Sequence, residues 1–496
     1  MSSAATASDN LAAAIVATLA RRKDAPALHC EEGWLTFADL DQRSRVIAEN
    51  LRQQGVEAGG HVAVGLANSA ELVCTVLAVL RAGGVLVPIN PALTDEELLY
   101  VLEDSEAKAT ILTPAHQAVL ASAGSRVRPL FQRGQRQRRG GFPALIVYTS
   151  GTTGRPKGAV LTHHGLVTNF RAVADTWQWT EADRLLLVLP CFHLHGLGLG
   201  ILASLMIGSS IVLRRRFELD KVLSDLQQHQ ATMFFGVPTI YNRLVAVPEE
   251  QLRCADLSRM RLWVSGSAPL NPTTYERFRQ RFGAALMDRY GMTECAFALS
   301  TSYDDTRRAG VVGRALPGVE VRLVDSDRCD AGELVDVGDD VPGEILIKGP
   351  NLFGGYWRRP EETARAMCQG YLRSGDVAVR ERDGQFRILG RKSVDIIKTR
   401  GFKVGAGEIE EVLQRFPEVE EVAVIGVPDA DQGERIVAVV VAAGGAQLDI
   451  AQLLAYARAH LAPHKVPAAI EIVDELPKIG PGKFKKTDLI RRFSLL

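Results

Sequence analysis

Several classes of protein are excluded by what this chain lacks. Its seven cysteines are scattered over 496 residues with no CxxC pair and no histidines at metal-ligand spacing. That leaves no disulfide framework and no zinc site, and it fits a reducing compartment, the cytoplasm. Charge of one sign is missing too: 58 basic and 58 acidic residues give a formal net charge of zero. Nothing global therefore recruits nucleic acid or an anionic membrane surface. No apolar run approaches the ~18 residues of a membrane span. The opening MSSAATASDNLAAAIVATLARRKDAP lacks the basic start and apolar core of a secretory signal, and reads as a first helix. Internal repeats are absent.

What remains is ordinary globular material, 46% apolar and 23% charged, in a chain long enough for two to four domains. Apolar runs at 61–66, 85–89, 109–113, 144–150, 184–190, 209–214, 233–238 and 261–266 read as strands. Between several of them lie segments with helical spacing, such as SAELVCTVLAVLRAGG. The alternation predicts an α/β class of layered sheets. From about 310, short strands joined by Gly/Asp turns (GVEVRLVD, GEILIKG, GQFRILGR) predict a β-rich subdomain over 310–391. A compact α+β module over 394–496 follows the N-terminal domain of residues 1–391. Six arginines between Arg126 and Arg139 read as a solvated linker.

The segment YTSGTTGRPKGAVLTHHG, Tyr148 to Gly165, concentrates glycines, hydroxyls and cations after an apolar run. Glycines bring main-chain N–H groups close to an anion, and a lysine adds charge, so the loop suits phosphate. It is not a Walker loop, because Lys157 precedes Gly158 and no Gly-Lys-Ser/Thr follows Gly151 at the required spacing.

Four further motifs follow in order: DRYGMTE (288–294), YLRSGDVAVR (371–380), GRKSVDIIKTRGFKVGAGEIEEVL (390–413) and PKIGPGKFKK (477–486). Together the five resemble the adenylate-forming superfamily of acyl-CoA synthetases, peptide-synthetase adenylation domains and firefly luciferase. In wording they are most similar to the malonyl-CoA synthetases. The resemblance implies an acid–thiol ligase that uses ATP, Mg2+ and coenzyme A. A carboxylate first attacks the α-phosphate, releasing pyrophosphate; a thiol then displaces AMP.

It also implies roles. Thr149, Ser150, Gly151, Thr152, Thr153 and Lys157 would hold the β- and γ-phosphates, with Thr152 and Glu294 as candidate Mg2+ ligands and Thr293 at the α-phosphate. Tyr290 would stack on adenine, opposite the turn Ser265, Gly266, Ser267, Ala268, with Asp288, Gly291 and Met292 beside it. Asp376 would accept from both ribose hydroxyls, near Arg391. Lys483 would bridge the attacking carboxylate and the α-phosphate, stabilising charge as the bond forms. Lys485 and Lys486 read as solubilising charge. A hinge at Lys392 or Ser393 would let the C-terminal domain exchange Lys483 for the 398–408 segment between half-reactions, with Lys398 contacting nucleotide and Gly401 lining the pantetheine path. A monomer or homodimer is expected.

Arg289 bears on the acid. An arginine in an acyl pocket pairs bidentately with a second carboxylate, which favours malonate or a substituted malonate. An ion pair to Asp288 or a structural acid is the alternative. His193 would gate the pocket, and Arg243, Ser267 and His195 would add polar wall, His195 otherwise being a packed core histidine. The run CAFALSTS after Glu294 departs from the Met-Asn-Thr-Ser of several malonyl enzymes, so Phe297 and Ala298 are expected to reshape the wall. Cys295 is expected only to line it. Ligases for a monocarboxylic aliphatic or aryl acid, or acyl donors to a carrier-protein thiol, are the alternatives.

Overall fold

All eight expected strands form. In the computed structural model, which describes residues 9–122, 141–149, 156–392, 394–399, 402–429, 433–445, 448–461, 463–478 and 484–494, they lie within the spans read from sequence, give or take one or two residues. The segment after Asn68 makes the helix Ala70–Arg81, which Ser69 caps by accepting from Leu72 N–H at 3.2 Å. The first helix, Leu11–Arg21, is capped by Asn10.

Five strands make one sheet in the order Ala109–Leu112, His61–Gly65, Val85–Pro88, Pro143–Thr149, Lys157–Thr162. It is parallel except for the last pair, in which Pro143–Thr149 and Lys157–Thr162 run antiparallel. A larger sheet runs through Pro26–Cys30, Ser210–Leu213, Arg184–Leu187, Met233–Gly236, Leu262–Ser265 and Met287–Tyr290, all parallel. Its central strands are buried along their whole length, as helices on both faces require.

The β-rich region is not a sheet of its own. Leu299–Ser300 pairs antiparallel with Met287–Tyr290 and with Val311–Ala315, which in turn pairs with Phe386–Arg391. The parallel sheet thus continues without interruption into the antiparallel strands. Composition changes at this point, but the hydrogen-bond ladder does not.

Beyond Arg391 a separate sheet contains Ile396–Thr399, Phe402–Gly405, Val419–Asp429, Gly433–Ala442 and Ala469–Ile472. It packs its own core, including Ile397, Ile409, Leu413, Val424 and Leu453. Lys486 corrects the sequence reading. It is buried, and its ammonium lies 2.6 Å from Asp395 and 2.7 Å from Glu410, tying the last helix to the segment after Arg391. Lys485 is exposed, paired with Asp488 at 2.8 Å.

His195–Ala203 was not legible as an element and forms a π-helix. Its glycines permit the close approach: a Cβ on Gly196 would lie 2.4 Å from the Pro190 carbonyl oxygen. Among the described residues, no helix is long and apolar enough to cross a membrane.

Candidate active site

The carboxyl ends of the parallel strands are where open α/β sheets bind ligands, and the predicted residues gather there. Ser265 ends the strand Leu262–Ser265, and the chain then turns through Ser267 with a positive φ of 72°. Next door, the strand Met287–Tyr290 delivers Asp288, Arg289 and Tyr290 to the same rim.

Arg289 is 5% exposed, and no ion pair satisfies it among the described residues. Its Nη2 faces Ser267 Oγ at 3.4 Å, and its Nε has no hydrogen-bond partner. Burial pulls the guanidinium down to about 10, still charged at neutral pH. Asp288 does not neutralise it: that carboxylate accepts from the Arg289 backbone N–H at 2.9 Å, and burial pushes it up to about 7. The expected alternative of an Asp288 ion pair is therefore not formed.

Beside Arg289, the buried imidazole of His195 stacks on Phe235 and points Nδ1 at Ser267 Oγ, 3.4 Å away. Its Nε2 lacks a partner. Burial, with Arg289 and His193 nearby, holds His195 well below the usual histidine range, so the ring is neutral. Ser265 Oγ is buried and unpartnered as well. Three buried polar atoms without partners (Ser265 Oγ, Arg289 Nε and His195 Nε2) thus share one small region, where native interiors seldom leave any. His193 is exposed by surface area, and desolvation by the surrounding protein lowers its pKa. Arg243 is not brought to this cluster. It sits on the exposed face of the helix Pro238–Leu244, over the Phe217 ring at 5.9 Å.

The turn after Tyr290 is tightly built. A Cβ on Gly291 would fall 2.1 Å from the Ala296 carbonyl oxygen, and Ala296 itself has φ of 53°. Met292 accepts from Cys295 N–H at 3.1 Å, and Thr293 is partly exposed. Cys295 is buried, its thiol pushed up to about 12 by desolvation, which leaves it inert lining. Glu294 is buried and its Oε1 accepts from the Tyr356 hydroxyl at 2.7 Å. A carboxylate with a second oxygen available suits a hard divalent ion shared with phosphate oxygens.

Tyr356 was missed by the sequence reading. Its backbone bridges to Ala159 on the strand Lys157–Thr162, and Lys157 Nζ lies over its ring at 5.3 Å. It thereby joins the glycine-rich hairpin to Glu294; the glycine pair in NLFGGYW was the available signal. Asp376 is already engaged, accepting from Tyr290 OH at 2.6 Å and pairing with Arg391 Nε at 2.9 Å. A ribose arriving there would exchange partners with them. Thr149 lies at the hairpin's edge, its Oγ1 3.5 Å from the Lys157 carbonyl oxygen. Ala268 is partly exposed in the turn after Ser265, and Lys398 lies on Ile396–Thr399. Ser150, Gly151, Thr152, Thr153, Ser393, Gly401, Lys483 and the 126–139 segment lie outside the described residues.

The AMP-binding enzyme profile matches residues 15–357, and that of the AMP-binding enzyme C-terminal domain matches 408–483. The chain belongs to the AMP-binding enzyme family. Within that family it is 36% identical over 521 aligned positions to the mitochondrial malonate–CoA ligase ACSF3 of Mus musculus, covering 95% of this chain and 88% of that one. It is 38% identical to a feruloyl-CoA synthase of Amycolatopsis, covering 92% and 94%. Among solved structures it superposes on ATP-bound MatB from Rhodopseudomonas palustris with a TM-score of 0.87, at 35% identity over 98% of this chain and 99% of that one.

Proposed function

We propose that this AMP-binding enzyme is an AMP-forming acid–CoA ligase that activates malonate or a 2-substituted malonate, with ATP and coenzyme A as co-substrates. One observation carries the choice of acid: the Arg289 guanidinium is buried, charged and unpaired, with neutral His195 and Ser267 at its side. A short diacid supplies the missing carboxylate and forms charge-assisted bonds. A fatty acid would leave the cation desolvated and unmatched. The likeness to malonate–CoA ligase and to MatB supports the same reading.

In the first half-reaction a carboxylate oxygen of the acid bonds to the α-phosphorus and the bond to the pyrophosphate oxygen breaks. Lys483, on the C-terminal domain, is assigned to the charge that builds between these anions; His193 guards the approach. Thr293 holds the α-phosphate. Thr149, Ser150, Thr152, Thr153 and Lys157 hold the outer phosphates. Tyr290 faces adenine, and Asp376 with Arg391 takes the ribose. Glu294 and Thr152 would hold Mg2+, which when bound offsets phosphate charge. In the second half-reaction the thiol sulfur attacks the acyl carbon and AMP leaves, with Gly401 keeping the thiol's path open. Seven free thiols fit a reducing compartment.

The 38% identity to a feruloyl-CoA synthase and the rings of Phe235 and Phe297 favour an aryl acid as the second reading. Pyrophosphate release measured with malonate, methylmalonate, acetate, octanoate, coumarate and ferulate separates the two. The diacid reading expects malonate or methylmalonate to lead, and Arg289→Ala to lower kcat/KM for it about 100-fold or more. Preference for ferulate, or malonate turnover indifferent to Arg289, would discard it.

A further inference from the structure

Arg289 lies in a slot with two different walls. One is the Phe297 ring, whose centroid is 4.6 Å from the guanidinium carbon. The other is the bare Cα of Gly266, where an added Cβ would fall 2.6 Å from Nε and 2.7 Å from Cζ. A guanidinium packed this closely against a ring and a glycine has little of its perimeter left for hydrogen bonding, and its Nη2 donates to Ser267 Oγ. The ring's negative face also compensates part of the hydration the cation has lost.

Phe297 is itself held by its backbone. The buried side chain of Asn169, on the helix His163–Trp177, donates to the Phe297 carbonyl oxygen at 2.7 Å and accepts from its N–H at 3.3 Å. Asn351 donates to the Cys295 carbonyl oxygen at 2.6 Å and to that of Phe297 at 3.3 Å. Two asparagines from distant parts of the chain thus fix the residue under the guanidinium.

We infer that Phe297, fixed by Asn169 and opposed by Gly266, is the positioning residue that sets Arg289 for the second carboxylate and so determines selectivity for diacids. The inference rests on the diacid reading of the same pocket. A side chain of similar bulk but without a π-face leaves the guanidinium free to tilt and less compensated. Malonate binding weakens while nucleotide binding, on the other side of the turn, does not.

The test measures steady-state constants for malonate, propionate and ATP in the wild type, Phe297→Met, Phe297→Leu, Phe297→Tyr and Gly266→Ala, with melting temperatures alongside. Expected is a rise in malonate KM of about tenfold for Met and Leu, with kcat and the ATP KM within twofold, and recovery in Tyr. The preference for malonate over propionate falls by the same factor. Gly266→Ala, which presses on the cation from the opposite wall, gives the same loss of preference even if its ATP KM also moves. A wild type without malonate preference refutes the diacid reading itself. If the wild type prefers malonate and Arg289→Ala abolishes that preference, but the Phe297 variants lower only the melting temperature, Phe297 is core packing and the inference is overturned.

Discussion

His163 opens the helix His163–Trp177 with its imidazole buried and Nδ1 unpartnered. Desolvation lowers its pKa to about 4, against 6.5 when exposed. The folded state therefore holds it neutral while the unfolded state takes a proton below 6.5. The sign follows: its contribution is fully present above pH 6.5 and is lost as pH falls toward 4, to a total of about 3 kcal/mol. Chemical denaturation between pH 7 and pH 4 is expected to show that decline, and a His163→Gln variant a shallower one. Equal slopes would mean that the buried ring is protonated by local opening without a cost. None of this was visible in the sequence, where His163 was part of a motif for phosphate; burial on one face of a helix is a tertiary property. Arg289 was the opposite case. Its position before the YGMTE motif pointed to a carboxylate ligand, and the structure adds that no acid among the described residues forms an ion pair with it.

The π-helix His195–Ala203 is the element that pattern reading failed to find, because HGLGLG has the composition of a loop. Its wide turn exists because Gly196, Gly198 and Gly200 each have neighbours where a side chain would stand. At Gly196 the neighbour is backbone, the carbonyl of Pro190, which cannot swing aside. Gly196→Ala is expected to destabilise by ~2 kcal/mol or more, as overpacking does. It should also displace His195, so malonate KM rises together with the drop in melting temperature. An unchanged melting temperature would show that the strand-to-helix junction can yield. Eight strands, by contrast, were legible to within one to three residues, since buried parallel strands are continuous apolar runs bounded by turn residues. Pro26–Cys30, Lys157–Thr162 and Met287–Tyr290 carry polar residues or follow the glycine-rich motif and were not read as strands.

At the scale of the whole molecule, one large apolar core and three smaller clusters hold the N-terminal layers together, and the residues after Arg391 carry two clusters of their own. The proposed function divides the reaction between two arrangements of these domains. If Lys483 serves only the first, Lys483→Ala lowers pyrophosphate release about 100-fold or more but spares thioester formation from supplied acyl-adenylate. Equal loss in both would contradict the division of labour. The change in composition near 310 suggested a separate unit, yet the ladder of hydrogen bonds crosses it through Leu299–Ser300. Composition reports which faces are wet; it does not report where backbone pairing ends.

That crossing has a consequence for how such a protein diversifies. The residues that shape the acyl pocket, 291 to 298, form a short bridge at the seam where parallel pairing gives way to antiparallel. The bridge's backbone is held, Ala298 N–H donating to the Tyr290 carbonyl oxygen at 3.0 Å, while Gly291 is fixed by close packing and Glu294 by Tyr356, which leaves the side chains of Phe297 and Ala298 as the positions through which the pocket can vary. The frame around it is shared, at 36% and 38% identity, with enzymes named for malonate and for ferulate.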